Sequence, residues 1–215
     1  MGLRLSYTIL APIYDAIVDR ATRDLRRTSL QDLDPTPGRR VLLSGVGTGL
    51  DFPWLPAGPE YTGIDLTPAM IARARRRADA HAVSIRLEVG DAMALPYPDG
   101  SFDEVILHLI VAVVPEPAAA LSEAARVVRP GGTIRIVDKF LPADRPARLR
   151  RALNPILRRI ATRTDVVFEE LLPATPDLKV LANEPGPFGG WFRRISLARS
   201  ASPDHTGAPG TQTTA

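Results

Sequence analysis

Apolar residues recur along this chain in two rhythms. From residue 40 onward, short runs rich in Val, Ile, Leu, Phe and Tyr alternate with longer segments whose apolar positions repeat every three or four residues. The short runs predict strands at 40–44, 61–65, 83–89, 102–108, 133–138, 178–183 and 192–197. Helical patterns fill most of the gaps. In "DLTPAMIARARRRADA" Thr67 caps and Pro68 takes the first helical position, with arginines 73, 75, 76 and 77 reading as a solvated face. "PEPAAALSEAARVVRPGG" aligns Leu121, Ala124, Ala125 and Val128 on one side and is stopped by Pro130, Gly131 and Gly132. Residues 5–33 read as one or two amphipathic helices. The alternation predicts an α/β fold, a parallel sheet covered on both faces. "EPGPFGG" before the last run leaves no room for a crossover helix, so the final strand should run antiparallel to its neighbour.

Composition narrows this picture. The chain has 215 residues, 45% hydrophobic and 24% charged, which suits one domain with a sizeable core. It contains no cysteine, which removes disulfides and thiolate metal sites, and His81, His108 and His205 lie too far apart for a metal-ligand spacing; no metal is expected. The first residues lack the apolar core of a signal peptide, and no run reaches the roughly 20 apolar residues of a membrane span. A cytoplasmic protein is expected, peripheral at a membrane at most. Formal net charge is +3, and 25 of the 27 basic residues are arginine, so nucleic acid is not implied as a partner.

Candidate chemistry begins at "VLLSGVGTGLDFPWLP", residues 41–56, where a strand enters a turn with glycine at 45, 47 and 49. Glycines there let the backbone approach a ligand and leave N–H groups free. A dinucleotide turn would carry its third glycine at position 50, which is Leu50, and Pro53 and Pro56 leave little helix to receive a pyrophosphate. Asp65, in "YTGIDLTP", ends the second strand, where a carboxylate can accept from both ribose hydroxyls. Asp91, in "VGDAMALPYPDGSFDEV", follows the third strand, where it can accept from an adenine amino group while Ala92 and Met93 line the ring.

In this order, "VLLSGVGTG", "YTGIDLTPAM", "GDAMALPYPDGSFDEV" and "ARVVRPGGTIRIVDKF" resemble the class I S-adenosylmethionine-dependent methyltransferases, especially the small bacterial group related to the ubiquinone/menaquinone-biosynthesis and phosphatidylethanolamine methyltransferases. The resemblance covers about residues 7 to 198. It implies a Rossmann-like, doubly wound, seven-stranded sheet with an antiparallel last strand. It also implies a single domain over 1–198, with an amino-terminal helical lid at 1–37, a cofactor-binding core at 40–138 and a helical cap at 142–175, followed by a disordered tail at 199–215. By the same resemblance Gly45, Val46, Gly47 and Gly49 wrap the methionine part of S-adenosylmethionine, Asp65 binds the ribose, Asp91, Ala92 and Met93 hold the adenine, Leu107 and His108 close the site, and Leu66 and Met70 also bind the cofactor. One departure stands out: the family usually has an acidic residue where this chain has Leu43, and an apolar one where it has Ser44.

Methyl transfer from a sulfonium is an in-line displacement that asks mainly for alignment and exclusion of water. An oxygen or acidic-carbon nucleophile adds the need for a base, and His108, at the end of the fourth strand, is the candidate, with packing beside the cofactor as the alternative. Asp138 and Lys139 end the fifth strand near the expected pocket, as substrate-binding residues or as an ion pair. Tyr14, in "APIYDAIVD", reads as a lid residue touching substrate or as core. Residues 145–163 carry seven arginines and no acid, which suits either docking on an anionic membrane surface or a cap with solvated charges. The expected activity is methyl transfer to a small apolar or amphipathic acceptor, such as a phospholipid headgroup amine, by a monomer or homodimer. Quinone or natural-product C- or O-methylation stays open, as do a nicotinamide-dependent oxidoreductase and a non-catalytic nucleotide-binding protein.

Overall fold

A computed structural model describes residues 20–141 and 166–201, apart from the side chain at 188. Strand β1 (Arg40–Ser44) is buried at four of its five positions, as expected of a central parallel strand covered on both sides. Around it lie β2 (Glu60–Asp65), β3 (Ile85–Val89), β4 (Phe102–His108), β5 (Val128–Lys139), β6 (Leu178–Pro185) and β7 (Phe192–Arg199). Their order in the sheet is β3-β2-β1-β4-β5-β7-β6. The last strand, β7, is antiparallel to both β5 and β6, as the short connection before it requires.

Alternation along the strands divides the core in two. Leu42, Ile64, Val105, Leu107, Ile134 and Ile136 pack against helix α3, which spans Pro117–Val127. On the opposite face Val41, Leu43, Ile106 and Tyr61 pack against Leu30 of helix α1 (20–31) and Leu33 just after it, and against Ala74 and Ala78 of helix α2 (Pro68–Ala80). This second face also carries charge. Glu104 of β4 pairs with Arg135 of β5, and the same guanidinium donates to the carbonyls of Ser29 at 3.0 Å and Asp32 at 2.7 Å. A cation thereby caps the carboxyl end of α1, where the helix carbonyls lack partners.

Four sequence expectations shift. Strand β3 starts at Ile85 instead of 83, because Val83 N–H donates to Ala78 O in the turn that ends α2, with Ala82 at φ +53°. Val128 opens β5 opposite Phe102 and does not extend α3. Arg199 belongs to β7, paired with Leu178, so the tail expected from 199 does not begin there. Arg77 is no free surface charge: its Nη1 donates to Thr48 O and Oγ1, both at 2.9 Å, tying α2 to the glycine turn. Strand order reverses between β1 and β4, and the crevice outside the carboxyl ends at such a switch point is where open α/β sheets take ligands.

Candidate functional site

The turn after β1 is built from backbone. Gly45 and Val46 N–H groups both donate to Ile64 O, at 2.8 and 2.9 Å, and Gly49 N–H donates to Val46 O. Gly45, Gly47 and Gly49 have φ of +77°, +55° and +78°, a region side chains disfavour. A Cβ on Gly45 would lie 2.6 Å from Ile110, and one on Gly49 2.4 Å from the Phe52 ring, whereas at Gly47 none of the described residues lies within 4 Å. The turn is therefore packed at both ends and open in the middle. Val46 points its side chain away, into the α2 side of the core. Beyond the turn the chain forms only a 3-10 turn, Phe52–Trp54, as its prolines require. That turn, with Arg23 and Arg77, lines a separate cavity of about 340 Å³.

Asp65 ends β2 facing this turn. Its Oδ2 accepts from Gly47 N–H at 3.0 Å and its Oδ1 from Thr67 N–H at 2.8 Å. Thr67 is the N-cap of α2 but makes no capping bond with its side chain; the Asp65 carboxylate holds the backbone N–H of this N-cap residue. Burial raises the Asp65 carboxyl above the usual range, although these N–H groups pull the other way. Leu66 and Val89, at the ends of β2 and β3, are each 54% exposed, an apolar pair with no cover from the described residues. Met70 stands half-buried in the first turn of α2.

Asp91 follows β3 and uses Oδ1 to accept from Met93 N–H at 2.8 Å. Ala92 is buried against Val114 and Ala120, with Met93 and Ile110 packed on the same cluster. Ile110 was not foreseen. Leu109, at φ +59°, reverses the chain after β4 and donates its N–H to Val137 O, which brings Ile110 back over Gly45. Leu107, expected in the wall, is instead fully buried in the α3-side core. Ser44, only 2% exposed, has a buried Oγ with no hydrogen-bond partner among the described residues. An orphaned hydroxyl, an open glycine and two exposed apolar strand ends around one carboxylate fit an adenosyl ligand.

His108 is 7% exposed, and both its ring nitrogens are engaged. Nδ1 meets Asp51 Oδ2 at 2.9 Å, and Nε2 meets Ser29 Oγ at 3.0 Å. Arg26, 1% exposed, donates to Asp51 Oδ1 at 2.8 Å and to Thr22 Oγ1 at 3.1 Å, and its guanidinium lies 4.9 Å from the centre of the Trp54 ring. Burial works to raise the Asp51 carboxyl, but His108 and Arg26 outweigh it and hold the group at about 2. Asp51 is thus an ionised acceptor, so the proton between it and His108 sits on Nδ1. Nothing local in the sequence marks Asp51, Arg26 or Ser29.

Asp138 spends its carboxylate on backbone, accepting from Ala112 N–H at 2.9 Å and Lys139 N–H at 2.8 Å. It braces the loop after β4. Burial pushes its carboxyl from 3.8 up to about 6, and burial lowers the part-buried Lys139. Because the folded value lies above the unfolded one, the stabilising contribution is complete below 3.8 and is lost as pH rises to about 6. The stability of the wild type relative to Asp138→Asn should therefore fall across that window and stay level above it. Thermal melts of both proteins at a series of pH values check this; a constant difference would contradict it. Tyr14, residues 145–163 and the tail from 202 lie outside the described residues, as does the 142–165 part of the expected cap.

Comparison with known proteins places this geometry among relatives. A family described as a methyltransferase domain matches residues 42–136. The chain is 35% identical over 190 residues to a phosphatidylethanolamine N-methyltransferase of Cereibacter sphaeroides, covering 87% of this chain and 93% of that one. It is 34% identical over 186 residues to a demethylmenaquinone methyltransferase of Renibacterium salmoninarum, covering 80% and 77%. Among solved structures, a geranyl diphosphate methyltransferase in complex with SAM superposes with a TM-score of 0.68 at 17% identity, covering 82% of this chain and 84% of that one. No described helix is long and apolar enough to cross a membrane.

Proposed function

The chain belongs to the class I S-adenosylmethionine-dependent methyltransferases, and from that premise we propose that it methylates the amine of an amphipathic acceptor, a phosphatidylethanolamine-type headgroup. The observation that carries the choice of nitrogen is the state of His108. With Asp51 and Ser29 on its two ring nitrogens, it offers no free base to the cleft, and Asp138 is committed to backbone N–H groups. An amine that reaches the site neutral attacks without a base, whereas a phenol or an acidic carbon must be deprotonated there. The 35% identity to the phosphatidylethanolamine enzyme supports the same acceptor. Methylation of a quinone is the second reading, supported by the 34% identity to the demethylmenaquinone enzyme.

When bound, S-adenosylmethionine supplies a methyl group on a positively charged sulfur. In our reading the backbone of Gly45, Gly47 and Gly49 lies along its methionine part, and Ser44 Oγ gains its missing partner there. Each Asp65 oxygen keeps a lone pair beyond the N–H it already holds, and these accept from the ribose hydroxyls. Leu66, Met70, Val89, Ala92 and Met93 sandwich the adenine, and Asp91 accepts from its amino group through the oxygen not used by Met93. Lys139, at the end of β5, would meet the acceptor phosphate; the roles expected of Tyr14 as a lid residue and of the arginines of 145–163 at an anionic membrane surface are part of the same proposal and fall on residues outside those described. The protein's contribution is alignment and a dry site.

Calorimetric titration with S-adenosylmethionine, S-adenosylhomocysteine and NADH tests the cofactor, and phosphatidylethanolamine vesicles incubated with methyl-labelled donor test the acceptor. Binding of both adenosyl ligands, none of NADH, and label in the headgroup is the expected result. Adenosyl binding with label only in added demethylmenaquinone would replace the acceptor, and absence of adenosyl binding would overturn the activity.

A further inference from the structure

We infer that Asp51 is a positioning residue of this site, acting through His108 and α1: the hydrogen-bonded chain Arg26, Asp51, His108, Ser29 makes the glycine turn, the end of β4 and α1 respond to the cofactor as one unit. The inference rests on the adenosyl-ligand reading above.

Asp51 follows Gly49 by two residues, so the turn determines where its carboxylate lies. One oxygen takes Arg26 of α1 and the other takes His108 at the end of β4. Ser29, one helical turn beyond Arg26, closes the loop onto the far nitrogen of the same imidazole. His108 immediately precedes Leu109, whose positive φ sends Ile110 back over Gly45. Both walls of the cleft therefore converge on one carboxylate and one ring, and α1 grips them at two points.

Stability alone does not account for this arrangement. Leu30 and Leu33 already bury apolar surface in the same layer. A buried charged chain adds little net stability over apolar side chains of the same size, but each of its bonds has a direction. What it supplies is orientation. The carboxyl end of α1 is held separately, by Arg135 on the carbonyls of Ser29 and Asp32. The chain can be cut without releasing the helix.

Hydrogen exchange of the amides in 20–31, with and without S-adenosylhomocysteine, tests the coupling. In the wild type, saturating ligand should slow exchange roughly tenfold, within the 5- to 150-fold typical of coupled sites. Ser29→Ala removes one hydroxyl and inserts the best helix former, so it keeps α1 folded. In that variant the ligand should slow α1 by less than about threefold, outside the same range, and Asp51→Asn should behave likewise. Ser29→Thr, which keeps the hydroxyl, should restore the wild-type ratio.

A purely structural role predicts a different result: faster exchange in ligand-free Ser29→Ala with an unchanged ligand-induced ratio. That outcome would overturn the inference, as would wild-type protein that binds the ligand without slowing α1. In either case the methyltransferase reading stands. Failure of the wild type to bind S-adenosylhomocysteine would overturn both.

Discussion

Asp65→Ala is expected to bind S-adenosylhomocysteine about 10- to 100-fold more weakly than the wild type. A hydrogen bond to a charged group contributes roughly 1.5–3 kcal/mol, and about 1.4 kcal/mol is a factor of ten. The substitution removes the acceptor proposed for the ribose and also frees the N–H groups of Gly47 and Thr67, which the carboxylate holds at 3.0 and 2.8 Å. Asp65→Asn keeps one acceptor oxygen and should fall between the two. The affinity should also depend on pH with a definite sign. Burial raises the Asp65 carboxyl, so it protonates, and stops accepting on that oxygen, at higher pH than an ordinary carboxylate. Affinity should therefore fall on acidification in the wild type and stay flat in Asp65→Ala. Titration calorimetry across pH measures both effects, and an unchanged dissociation constant in Asp65→Ala would remove the ribose assignment.

The parts of this site legible in the sequence are those whose chemistry is local. Three glycines after an apolar run announce a turn with positive φ because no other residue adopts it cheaply, and all three adopt it. The seven strands were readable from their apolar runs, and the short "EPGPFGG" link forced the direction of β7. Errors of boundary arose where a helix end and a strand start compete for the same residues. Val83 was lost to the cap of α2, and Val128 passed from the expected helix face to β5.

The missing parts depend on distant partners. His108 is marked by its place at a strand end, but its two hydrogen-bond partners, Asp51 and Ser29, lie 57 and 79 residues away in the chain. Arg26 lies 25 residues from Asp51. No periodicity links such positions, so the hydrogen bonds that hold His108 are not legible in the sequence. The expectation for Leu107 failed for a simpler reason: successive residues of a strand face opposite sides of the sheet. With His108 turned toward α1, the Leu107 side chain enters the α3-side core, and it is Ile110 that lies over Gly45.

The contrast among the three glycines yields the sharpest separation of binding from folding. Gly47→Ala should abolish detectable S-adenosylhomocysteine binding at concentrations that saturate the wild type, while the protein stays folded. The added methyl meets none of the described residues within 4 Å, so the cost to the fold is that of a left-handed residue, about 1–2 kcal/mol, or roughly 2–8 °C in a domain of this size. The same methyl projects into the open middle of the turn, where the proposed site has the ligand approach the backbone. Gly45→Ala and Gly49→Ala should behave differently. Their new Cβ atoms would meet the stiff, branched Ile110 at 2.6 Å and the buried Phe52 ring at 2.4 Å, so each adds overpacking of roughly 1–3 kcal/mol to the backbone strain. Thermal unfolding and calorimetry on the three variants distinguish the cases. Wild-type affinity in Gly47→Ala would mean that the ligand does not lie against the open middle of this turn.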